Sequence, residues 1–100
     1  MKTRSELERM ARLIGAIPER DFVSPVYRYH RSVDGLDSAR IGWSDGKDRR
    51  FEVVYFADDH VFCRTYGPDL KDNESIVTSR IDLIKRVRDG MDWLYGPMVK

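Results

Sequence analysis

Asp58, Asp59, His60 and Cys63 fall within six consecutive positions of this 100-residue chain and include the residue types of a nucleophile, a base and an orienting carboxylate. Such a set works only if imidazole and thiol touch, because the thiolate forms by hydrogen-bonded proton transfer. On an extended strand, residues three apart point to opposite faces, which would put the backbone between His60 and Cys63. Asp58-Asp59 has the composition of a turn, and a lone cysteine in an apolar strand behaves as a small buried hydrophobe. A metal site would have to recruit His30 and His60 together with carboxylates, since two histidines fall short of the usual ligand count. Neither H-E-x-x-H nor calcium-loop spacing occurs. The single cysteine excludes an internal disulfide and any multi-cysteine cluster. The glycines form no phosphate-binding pattern; Gly35, Gly42, Gly46 and Gly67 read as turns or close strand packing. The sequence therefore predicts no catalytic residue, no metal ligand and no cofactor, and a chain that is not an enzyme.

Binding chemistry is better represented. Arg28, His30, Arg40, Trp43, Arg50 and Phe56 combine cations with aromatics on strand-like segments, and that combination serves two kinds of partner. Arginines on phosphates with rings stacked on bases would bind single-stranded nucleic acid or RNA. RRFEVVYF has the arginine and aromatics of such a strand but not the glycine pattern of the RNA-recognition consensus. Eighteen basic against 17 acidic side chains leave a net charge of +1, so no global field favours nucleic acid. Aromatics and arginines are also the types enriched at protein-interface hot spots, and Val54 and Phe56 beside Arg28 and Arg40 would form a mixed patch. The sequence thus predicts a non-catalytic binding or regulatory module of adaptor or inhibitor type, engaging a protein partner or a second copy of itself. Nucleic-acid binding is the alternative. The predicted binding residues of the module are Arg28, His30, Arg40, Glu52 and Phe56.

The elements that must position these residues follow from periodicity. Ser5 and Glu8 have capping-box spacing, and Leu7, Met10, Ala11, Ile14 and Ile17 form an apolar helical stripe that Pro18 ends. Four strands are predicted from Val26 to Tyr66, with Asp34-Gly35, Asp45-Gly46 and Asp58-Asp59 as punctuation. VVYF reads as part of a central strand covered on both faces. Gly67-Pro68 ends the sheet, a polar loop leads to a cap at Asp72 or Asn73, and Val77, Ile81, Ile84, Val87, Met91 and Leu94 give the stripe of a second helix of about 20 residues, roughly 30 Å long. Gly90 weakens that helix, and Gly96-Pro97 stops it. The fold class is α+β, in the order α-β-β-β-β-α, a four-stranded antiparallel meander whose terminal helices pack on one face. The five predicted binding residues share the other face by strand parity, and a register slip of one residue would reverse that assignment.

Composition sets the outer bounds. One hundred residues form one domain, residues 1–100, with 41% hydrophobic and 35% charged positions. Eleven aromatics supply a core of few but large side chains. No apolar run approaches the roughly 20 residues of a membrane span, and MKTRSELERM lacks a signal-peptide pattern. No membrane partner and a cytoplasmic location are expected.

Overall fold

Thr3, not Ser5, starts the first helix. In the computed structural model, which describes residues 1–68 and 70–98, α1 spans Arg4–Gly15. The Thr3 hydroxyl accepts from Glu6 N–H at 3.3 Å, and Glu6 Oε1 accepts from Thr3 N–H at 3.1 Å. Each side chain satisfies a backbone donor that a helix start leaves open. Two overlapping segments, Thr3–Glu6 and Ser5–Glu8, have the capping spacing, and the earlier one is used. Glu8 accepts from Arg4 one turn earlier at 2.9 Å. Leu7, Ala11 and Ile14 form the buried stripe of α1, and Ile17 lies beyond the helix, packed against the core margin.

Five strands follow: β1 (Val26–His30), β2 (Ser38–Ser44), β3 (Arg50–Phe56), β4 (Val61–Gly67) and β5 (Leu70–Ile76). They pair antiparallel in sequence order, β1-β2-β3-β4-β5. The helix α2 (Arg80–Tyr95) closes the fold. The class and the one-sided placement of the helices are as predicted, and the strand count is corrected from four to five. KDNES reads as a loop because it is polar at every position. It is an edge strand, where charged side chains are favoured because they discourage further pairing. The extra strand moves the start of α2 from the predicted Asp72 or Asn73 to a cap at Ser79, which accepts from Asp82 N–H at 3.0 Å.

Turn chemistry matches the punctuation. At the β2–β3 connection Asp45 accepts from the amides of Lys47 (2.8 Å) and Arg49 (3.2 Å), and Gly46 takes a φ of 78°, open mainly to glycine.

The core lies between the helices and one face of the sheet. Leu7, Ala11 and Ile14 from α1 and Leu83, Val87, Met91 and Leu94 from α2 cover Ile41, Trp43, Phe51 and Val53. Ile81, placed on the stripe of α2 by sequence, is 82% exposed, and Leu83 takes the inward position. Gly90 has a packing role: a Cβ there would come within 2.7 Å of the Phe51 ring, so its absence brings α2 down onto β3. Among the described residues, no helix is long and apolar enough to cross a membrane.

Candidate functional site

Strand register arranges the face opposite the helices in rows. Cross-strand partners share a face, so one row reads Val26, Gly42, Glu52, Arg64, Glu74 and the next reads Arg28, Arg40, Val54, Phe62, Ile76. Flanking rows hold His30, Ser38 and Phe56 on one side and Ser44, Arg50 and Tyr66 on the other. The predicted residues Arg28, His30, Arg40, Glu52 and Phe56 therefore all sit on one face. No helix or strand among the described residues packs over it.

The second row runs from charge to hydrocarbon. Val54 at its centre is fully buried, although it lies outside the cluster shared with the helices. Its cover comes from neighbours on the same face: Phe56 and Phe62 meet edge to face, with centroids 5.6 Å apart and planes at 90°. Ile76 extends the strip and is 61% exposed. His30 lies at the β1 edge opposite Ser38, away from this strip.

The charges pair unevenly. Arg50 donates to Glu52 at 3.0 Å, and Arg64 donates to Glu74 at 2.8 Å while lying 4.0 Å from Glu52. Arg28 and Arg40 face each other across β1 and β2, and neither has an ion-pair partner among the described residues. Like charges opposite one another on adjacent strands destabilise a sheet. This pair marks where a negative partner group would be most favourable.

A cleft of about 290 Å³ opens over Gly42, bounded by Val26 and Arg28 on one side, Arg40 and Ser44 along the strand, and Arg50 and Glu52 beyond. Glu52 is 4% exposed, and its Oε1 is buried without a hydrogen-bond partner; Arg40 Nε is in the same condition. The third such atom among the described residues, Trp43 Nε1, belongs to the helix-side core by its register.

The residues with catalytic spacing are separated. Cys63 is buried on the helix side, and burial pushes its thiol up to about 11. His60 lies in the turn before β4, not on the strand as predicted, and its Nδ1 is 2.8 Å from Asp58. Its hydrogen bond to Asp58 holds that carboxyl below the usual range. Tyr55 donates to Asp59, which lowers the Asp59 carboxyl, while burial in the first place raises the Tyr55 phenol. No group of three or more His, Cys, Asp or Glu among the described residues is placed to hold a metal ion.

A second cavity, about 540 Å³, lies between α1 and α2, lined by Met10, Leu13, Ile17, Val61, Val77 and Leu83 among others. Tyr55 and Asp59 at its margin satisfy each other, and none of the unpaired buried polar atoms among the described residues belongs to its lining.

Sequence reasoning missed Phe62 and Ile76 as members of the open face, and it set Gly42 on the Arg40 face without naming it a site residue. Gly42 reads as close packing, yet a Cβ there would meet nothing within 4 Å. The alternation of Phe62, Arg64 and Tyr66 is visible in the sequence, but parity alone does not carry across the Asp58-Asp59 turn. Ile76 depends on recognising β5. Comparison with protein-family models, with curated proteins and with solved structures finds no match for this chain.

Proposed function

We propose that this chain is a small, non-catalytic binding module, of adaptor or regulatory type and acting in the cytoplasm, whose uncovered sheet face docks an acidic and apolar segment of a protein partner. The observation that carries this reading is the second row of the face, where Arg28 and Arg40, without an ion pair among the described residues, continue into Val54, Phe62 and exposed Ile76. Desolvated apolar contact flanked by arginines is the composition of an interface hot spot. Strands about 4.8 Å apart, rising about 3.3 Å per residue, give a face roughly 20 Å on a side, the scale of a modest interface.

Nucleic acid is the weaker fit to this face. Phe56 and Phe62 stand edge to face and so present no pair of parallel rings to successive bases. A continuous phosphate backbone would also have to cross the row that holds Glu52 and Glu74, whereas a single carboxylate can sit on Arg28 and Arg40 alone.

The test is capture from nuclease-treated lysate, comparing the natural chain with Arg40→Glu and Ile76→Asp. Both positions face away from the core, so folding should survive. The expected result is a protein partner retained by the natural chain and lost by both variants. A partner held equally by all three would place the interface elsewhere. Capture abolished by nuclease would turn the reading to nucleic acid, and a sizing profile of twice the mass without any partner would mean self-association.

A further inference from the structure

Gly42 occupies the middle of β2, where glycine weakens a strand because it is conformationally free and packs nothing. Glycine is kept in strands where a bulge, a positive φ or a close neighbour demands it. Gly42 is in regular register between Val26 and Glu52, its φ is not positive, and a Cβ would meet nothing within 4 Å. The missing side chain is the floor of the cleft. Stability is forgone there for the sake of an opening.

The opening is chemically specified. Arg40 Nε is a buried donor without an acceptor, and Glu52 Oε1 is a buried acceptor without a donor. The Glu52 side chain is only 5% exposed, and its nearest cation at this oxygen, Arg64, is 4.0 Å away, beyond hydrogen-bond range. Leaving such atoms unpaired costs more than an average hydrogen bond contributes. Arg28 adds a second cation beside Arg40 that has no ion-pair partner among the described residues. Arg28, Arg40 and Glu52 line one cleft of about 290 Å³, and a group satisfying all of this carries an oxyanion for the arginines and an N–H for the carboxylate. An α-carboxylate with an N–H on the same carbon has that composition. An internal acidic residue would need chain leaving on both sides, whereas a chain end leaves on one.

We propose that the cleft over Gly42 anchors the C-terminal residue of a partner peptide, with its carboxylate on Arg28 and Arg40 and its last amide N–H donated to Glu52. The assignment rests on the protein-docking reading of the same face and gives that partner its anchor.

The experiment uses N-acetylalanine as the minimal chain end, with N-acetylalaninamide, acetate and free alanine as comparisons, titrated into the isotopically labelled full chain by NMR. N-Acetylalanine should shift the Gly42 amide and Arg40 Nε–H resonances saturably, with a dissociation constant of about millimolar order. The amide, which lacks the carboxylate, and acetate, which lacks the N–H, should bind at least about tenfold more weakly. Gly42→Val should abolish the shifts while raising the melting temperature, since a β-branched side chain fills empty space on a strand. Loss of binding with a gain in stability separates a filled cleft from an unfolded chain. The assignment is overturned if N-acetylalanine gives no saturable shift, if acetate matches it, or if binding persists in Gly42→Val. Tighter binding of free alanine would overturn the peptide source. Failure of these titrations while Ile76→Asp still abolishes partner capture removes the anchor and leaves the docking face standing.

Discussion

Arg40 and Glu52 illustrate how far residue-level reasoning reaches. Strand parity alone placed Arg28, His30, Arg40, Glu52 and Phe56 on one face, and the register of β1, β2 and β3 puts them there. What parity could not show is that Glu52 is buried between Arg50 and Arg64, or that Arg28 and Arg40 form no ion pair among the described residues. Pairing of that kind depends on distances across strands. The same parity argument set Cys63 opposite His60, but only the pairing of Cys63 with Val53 places the thiol on the helix side. With the thiol raised to about 11, only about one in a thousand is ionised at pH 8, and the thiolate is the reactive form. Cys63 is therefore expected to resist a disulfide reagent in the native state and to react promptly in denaturant. Prompt native labelling would contradict the buried placement.

At the scale of elements, the helices were legible as stripes, but their ends were not. Two capping patterns overlap at the start of α1, and the sequence offers no means of choosing between them. The hydrogen bonds at Thr3 decide it. Thr3→Ala should cost about 1 kcal/mol in urea unfolding, and Ser5→Ala only a few tenths. The reverse order would restore Ser5 as the cap. The missed strand β5 has a different cause: an edge strand is half solvated, so the alternation that reveals a strand is absent from KDNES. Gly90 reads in sequence as a helix weakness of about 1 kcal/mol. In the fold it makes room for the Phe51 ring. Gly90→Ala should accordingly destabilise the protein by about 1–3 kcal/mol through overpacking, where helix propensity alone predicts a gain. Thermal melts of the two proteins give the sign directly.

Across the whole molecule, near-neutral charge conceals an organised distribution. Asp45, Asp58, Asp59, Asp82 and Glu6 are each held below their ordinary carboxyl values, in every case chiefly by hydrogen bonds at turns and helix starts. A carboxyl whose folded value lies below its unfolded value favours folding when ionised. That stability is complete above the unfolded value, about 4, and is lost as pH falls through the lower folded values. Urea midpoints should be level from pH 7 to about pH 5 and fall steeply below about pH 4. Asp82→Asn, which removes the carboxylate accepting from Thr78 N–H and Arg86, should make the fall shallower. Stability that rises on acidification would contradict these assignments. The α+β class could be read from the sequence because both periodicities and three turn signals agreed. The function could not, because a sheet face acquires its meaning from its partner.

The most direct test of the docking face is site-specific photo-crosslinking. A p-benzoylphenylalanine at Ile76, which is 61% exposed on the sheet face, is compared with one at Ile81, which is 82% exposed on α2. Both are irradiated in nuclease-treated lysate, and the adducts are read by mass spectrometry. A discrete protein adduct at position 76, absent at position 81, is the predicted result. Adducts confined to position 81, or none at position 76, would contradict a partner on the open sheet face.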